Sequence, residues 1–153
     1  MDAIHKMWLY RLLSSILDSP ISHSLSFKGG TCAAMLGWLD RFSLDLDFDL
    51  NPKADKKIIR RELMVILKNC GLTVKNPNNK TLQFILQYPS QKTNRNSLKL
   101  GIVDNLVRTN DYASFYLSDI DRYCLCQTKE TMVANKLVAL IDRFNKYQAI
   151  AGR

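Results

Sequence analysis

Hydrophobic residues recur at Ile4, Trp8, Leu12 and Ile16, with Leu9 and Leu13 beside them, which predicts a helix over residues 3–17. Pro20 and the serines at 19, 22, 24 and 26 end it and lead into a short extended segment at 25–27. Gly29 and Gly30 make a turn, and Thr31 begins a short helix through about Leu39. From Leu44 to Leu50 the pattern switches to strict alternation of apolar and acidic residues, the signature of a strand with one wet face. Beyond Asn51-Pro52, the stripe Ile59, Leu63, Ile66 and Leu67 marks a helix that Gly71 stops. Strand-like segments follow at 72–75 and 81–88, joined by the turn-rich NPNN, and at 98–103 beyond the polar run SQKTNRN. Residues 112–117 and 123–126 read as short strands. Thr128 can cap a final helix from Glu130 to about Tyr147, with the stripe Val133, Leu137, Leu140, Ile141 and Phe144. There is no internal repeat and no low-complexity linker. This order of elements predicts an α+β domain with a mixed or antiparallel sheet and helices packed mainly on one side.

Composition narrows the function classes. The 153 residues fit one domain with a real core, and no apolar run reaches the ~18 residues needed to cross a bilayer. Asp2, His5, Lys6 and Arg11 interrupt the first segment, which argues against a secretion signal and for a cytoplasmic protein. Cys32, Cys70, Cys124 and Cys126 lie among apolar neighbours; His5 and His23 do not complete a zinc set, so buried reduced thiols are expected. Lysine and arginine outnumber acids, 22 against 14, for a formal charge of +8, which favours nucleic acid or nucleotide phosphate as partner.

The strand at 44–50 carries the chemistry. Residues i and i+2 of a strand share a face, so Asp45 and Asp47 aim two carboxylates into one space, with Asp49 one pleat further along. Aspartate is depleted in strands and like charges repel, so the pair calls for compensation. Two carboxylates plus substrate phosphates form a usual Mg²⁺ environment. Upstream, Gly29 and Gly30 leave backbone uncovered where a helix starts, a place that favours phosphate, and Thr31 can add a hydroxyl. A phosphate site joined by one helix to a metal site is what nucleotidyl transfer requires.

The run GG-T followed by R-x-S-x-D-x-D (Gly29, Gly30, Thr31, Arg41, Ser43, Asp45, Asp47) resembles the nucleotidyltransferase-like AbiEii/AbiGii toxin family, related to the DNA polymerase β superfamily. The late segment TKETMVANKLVALIDR is similar to that family's lysine-bearing helix, which makes Lys136 and Arg143 the matching residues. The resemblance implies Asp45 and Asp47 as metal ligands and catalytic residues, with Lys136 contacting phosphate or neutralising transition-state charge. It further implies nucleotide contacts from Gly29, Gly30, Thr31, Arg41, Ser43 and Arg143. Two departures stand out. Where members often carry a third acidic ligand, the strand 98–103 has Gly101, with Asp104 just after it. Members also continue into an Arg-Asp-x-x-Asp-like helix, whereas this sequence reads KYQAIAGR to Arg153, which leads to the expectation of a C-terminally incomplete domain.

The implied function is a Mg²⁺-dependent transferase toxin of a toxin–antitoxin or phage-defence system. It would move a nucleoside monophosphate from a nucleoside triphosphate to an acceptor such as RNA or tRNA, opposite a cognate antitoxin and without a membrane. The alternative is a catalytically reduced chain that binds nucleotide, or a protein partner, without turnover.

Overall fold

The computed structural model describes residues 3–41, 43–75, 80–89, 96–104 and 109–151, with side chains as far as residue 147. Four α-helices and seven strands follow in the order α1 (Ala3–Leu17), β1 (Leu25–Lys28), α2 (Gly29–Met35), β2 (Asp45–Leu50), α3 (Lys56–Cys70), β3 (Thr73–Val74), β4 (Leu82–Gln87), β5 (Ser97–Val103), β6 (Tyr112–Leu117), β7 (Arg122–Gln127) and α4 (Lys129–Ala151). The strands form one mixed sheet in the order β3-β4-β5-β2-β1-β7-β6. Strand β2 runs antiparallel to β1 and parallel to β5, and β7 runs parallel to β1. The expected α+β architecture is therefore present. The NPNN turn and most of the SQKTNRN run lie outside the described residues.

Alternation decides which face is buried. Leu46, Phe48 and Leu50 of β2 share one face with Phe27, Leu100, Ile102 and Phe84 by register, and all are buried. Leu9, Leu12, Leu13 and Ile16 of α1 and Ile59, Leu63 and Leu67 of α3 complete that core. Each fully buried side chain of this kind contributes about 1.5–3 kcal/mol. All four cysteines are free and buried, as their apolar neighbours suggested. Among the described residues, no helix is long and apolar enough to cross a membrane.

Helix ends follow the local chemistry. Asp55 caps α3 by accepting from the Lys57 N–H at 2.7 Å, and Gly71 ends it at φ 77°. Helix α2 differs from its expected span. It starts at Gly29 and stops at Met35, because Gly37 turns left-handed at φ 70°. Helix α4 is longer than expected, and its apolar stripe lies open: Val133, Leu137, Leu140, Ile141, Phe144 and Tyr147 are 50% to 67% exposed.

One buried polar residue ties α1 to the start of β2. His5 places Nδ1 2.9 Å from the Tyr88 hydroxyl and Nε2 3.1 Å from the Leu44 carbonyl. A carbonyl only accepts, so Nε2 carries the proton and Tyr88 donates to Nδ1. Trp8 stacks on the same Tyr88 ring. Replacing His5 by Leu leaves the Tyr88 hydroxyl and Leu44 carbonyl short of a buried partner. Urea unfolding is expected to show a loss of about 2 kcal/mol; a change below about 0.5 kcal/mol would mean that water satisfies both groups.

Candidate active site

Strand register assembles the site. Across the polar face, Lys28 lies opposite Asp47, Asp47 opposite Gly101, and Gly101 opposite Gln83. Asp45 lies opposite Lys99. Because β1 and β7 end where β2 and β5 begin, the Gly29–Gly30 turn, the two carboxylates and the start of α4 share one end of the sheet.

The three aspartates of β2 share a face but not an environment. Asp49 is only 2% exposed. Its Oδ1 accepts from Lys28 Nζ at 2.6 Å, and its Oδ2 accepts from Gln127 Nε2 at 2.6 Å and from the Tyr112 hydroxyl at 2.8 Å. Every lone pair that matters is used, so Asp49 holds strands together. Asp45 and Asp47 have no side-chain hydrogen bond or ion pair among the described residues. Burial first, and then the neighbouring Asp45 charge, push the Asp47 carboxyl above its ordinary range, while Lys99 and Lys28 pull it back.

Glycines make room for the Asp47 carboxylate. Gly29 adopts φ 81°, and a Cβ there would lie 3.0 Å from Asp47 Oδ2. A Cβ on Gly101 would lie 2.9 Å from Asp47 Oδ1 and 3.1 Å from Gln83 Oε1. At Gly30 the obstacle differs: a Cβ would meet Ser43 at 2.9 Å. Gly30 thus lets the segment before β2 approach the turn, and a methyl there would press on Ser43 instead of projecting into open space.

The other predicted residues divide. Thr31 is buried, and its hydroxyl donates to the Asp45 carbonyl at 2.5 Å. It anchors the backbone of a carboxylate, which corrects the expectation of a free hydroxyl for phosphate. Ser43 sits against the turn, whereas Arg41 is exposed on the approach to β2. Lys136 and Arg143 lie on the exposed part of α4. That helix is tied down near its start, where Thr131 accepts from the Asp111 N–H at 3.1 Å and Asn135 donates to Asn110 at 3.2 Å. No contact among the described residues joins Lys136 or Arg143 to the carboxylates. Asp104 lies at the far end of β5 and pairs with Lys56. Sequence reasoning missed Lys28, Lys99, Gln127 and Tyr112; only the position of Lys28 beside the glycines gave a local signal.

The donor set suits a hard divalent cation: two unpartnered carboxylates whose repulsion a positive charge would relieve. Among the described residues no three His, Cys, Asp or Glu side chains form a metal cluster, so further oxygens would come from substrate or water.

The family model described as "Nucleotidyl transferase AbiEii toxin, Type IV TA system" matches residues 11–150. No curated protein matches the chain. Among solved structures, a candidate nucleotidyltransferase from H. pylori is similar with a TM-score of 0.59 at 19% identity, covering 88% of this chain and 56% of that one. JHP933 from Helicobacter pylori gives a TM-score of 0.58 at 19% identity, covering 88% and 55%. At this identity the likeness establishes the fold. The chain spans a little over half the length of these structures.

The raised Asp47 pKa has a stability consequence with a definite sign. The folded state binds this proton more tightly than the unfolded chain, so stability falls as pH rises from the ordinary carboxylate pKa through the raised one. Asp47→Asn removes that cost. In metal-free buffer its melting temperature should exceed the parent's at pH 7, and the gap should close below about pH 4. A variant less stable than the parent at pH 7 would show that the carboxylate has a protein partner after all.

Proposed function

The chain belongs to the AbiEii nucleotidyltransferase toxin family, and from that premise we propose that it transfers a nucleoside monophosphate from a nucleoside triphosphate to an acceptor hydroxyl. The observation that carries this reading is the pair Asp45 and Asp47, side by side on β2 with no side-chain hydrogen bond or ion pair among the described residues, where Gly29 makes room for the Asp47 carboxylate. In the reaction the acceptor oxygen bonds to the α-phosphorus, the bond from that phosphorus to the bridging oxygen breaks, pyrophosphate leaves, and the hydroxyl proton passes to solvent. Asp45 and Asp47 would hold Mg²⁺, which when bound screens triphosphate charge and acidifies the attacking hydroxyl. Gly29, Gly30 and Ser43 would be nucleotide contacts from the turn, where the two glycines let Asp47 and Ser43 approach the backbone. Lys99, exposed and opposite Asp45, supplies positive charge at the mouth of the site. Arg41, Lys136 and Arg143 are the further phosphate contacts of this proposal, Lys136 neutralising transition-state charge.

An RNA acceptor, tRNA included, suits a chain of net charge +8. In its family setting the activity would inhibit growth from a toxin–antitoxin or phage-defence locus in the cytoplasm, opposed by a cognate antitoxin. A second reading, nucleotide binding without turnover, is favoured by Gly101. A Cβ at that position would lie 2.9 Å from Asp47 Oδ1, so an acidic side chain there would require Asp47 to shift, and the site as it stands offers Asp45 and Asp47.

The two readings part in one experiment. With Mg²⁺ and α-³²P-labelled nucleoside triphosphates, label should enter an RNA pool, and Asp45→Asn and Asp47→Asn should each lower incorporation by about 10²-fold or more. Calorimetric triphosphate binding that both variants abolish, without label transfer from the parent, would establish the binding-only reading. Binding unchanged in both variants would remove the site assignment itself.

Lys136→Met keeps the apolar stem and removes the charge. Stability is expected to stay within ~0.5 kcal/mol of the parent, as for a surface change, while triphosphate affinity falls. If affinity falls with Arg143→Met and not with Lys136→Met, a later turn on the same face of α4 addresses the phosphates.

A further inference from the structure

On the outer flank of α3, away from the carboxylates, lies a groove bounded by the helix and by β3, the edge strand of the sheet. Its rim carries Lys57, Arg60, Arg61 and Lys68, and no carboxylate lines it. Its floor is apolar, formed by Met64, Val65, Leu67, Leu72 and Val74. Met64 is 43% and Val65 51% exposed, an unusual outlay of apolar surface on the flank of an otherwise amphipathic helix.

One rim charge is fixed against the wall. Arg60 donates to the Thr81 carbonyl at 2.9 Å and lies 5.2 Å from the Phe84 ring centroid, which fixes its guanidinium at the wall. Arg61 reaches Glu62 at 3.2 Å, an exposed pair that does little to cancel its field. Glu62 is not among the lining residues.

We propose that this groove docks an extended acidic and apolar segment of a protein partner, laid alongside β3. Three features favour that occupant. The cationic rim without carboxylates complements acidic side chains. The apolar floor rewards alternate apolar side chains, whereas nucleic acid would call for aromatic stacking groups, and none lines the groove. At the outer edge of β3 the Val74 main chain faces away from β4, oriented to pair with an added strand. The surface is independent of phosphate chemistry on β2.

The test uses a fluorescein-labelled peptide of strand length that alternates Glu and Val, followed by fluorescence anisotropy with the full chain. The peptide is expected to bind, more weakly at high salt. Lys57→Glu combined with Lys68→Glu, and separately Met64→Asp, should each reduce affinity at least tenfold, while Asp47→Asn leaves it unchanged. All these positions are exposed or half-buried, and circular dichroism checks that each variant folds. Hydrogen exchange should slow at Val74, whose N–H faces away from β4, when the peptide is bound. The proposal is overturned if the peptide does not bind, if it binds equally to the groove variants, or if exchange at β3 is unaffected. It is equally overturned if a labelled single-stranded RNA binds and is released by those variants while the peptide is not, which would make the groove a nucleic-acid surface.

Discussion

A carboxylate with 2% of its surface exposed would be very costly to keep charged in isolation, and Asp49 is kept by donors from three other strands. Lys28 reaches it from β1, Gln127 from β7 and Tyr112 from β6. The interaction therefore spans four adjacent strands and sets how β7, and with it the start of α4, stands against β2. Removing any one donor would leave a buried charge under-satisfied, so these residues act as a unit. The polar half of the sheet depends on this cluster as the apolar half depends on Phe27 and Phe48.

Its location also explains the division of labour along β2. Moving from Asp49 toward the strand's start, protein partners vanish and space opens. Lys28 lies opposite Asp47 by register, yet its ammonium is drawn to Asp49, leaving Asp47 with an electrostatic influence but no hydrogen bond. Burial and the neighbouring Asp45 then raise the proton affinity of Asp47. Three chemically identical residues at alternate positions thus become one structural anchor and two carboxylates without a side-chain hydrogen bond or ion pair among the described residues. Environment alone distinguishes them.

Much of this was legible from the sequence where the signal is local. The 3.6-residue stripe of α1, the alternation of β2 and the apolar stripe and Gly71 signal of α3 depend on near neighbours, and the elements they predict are present. The pairing of Asp45 and Asp47 on one face follows from the pleat. What escaped is non-local. Gln127, Tyr112 and Lys99 reach the site only through the register of β6, β7 and β5, which no short window contains. Thr31 looked like a ligand donor because its position beside the glycines is visible, while the Asp45 carbonyl that claims its hydroxyl is not. Helix α2 ended early because Gly37 takes a left-handed conformation inside a segment that reads as continuous helix. The stripe on α4 was identified, but amphipathicity says which residues are apolar and not what covers them.

Gly101 shows how sheet geometry limits the chemistry. On β5 it stands directly across from Asp47, with Gln83 on its other side, and an added methylene carbon would lie within 2.9 Å of the Asp47 carboxylate. A third acidic side chain could be seated there only if Asp47 rotated away from the position that Gly29 leaves open for it. The glycine and the free carboxylate are therefore two sides of one packing solution: β5 gives up a side chain, and Asp47 gains room to point across the sheet. Gln83 closes the far side of that space with an amide and adds no charge. Any further anionic oxygen at a cation held by Asp45 and Asp47 would then have to arrive with the substrate, and triphosphate is a ligand that brings several.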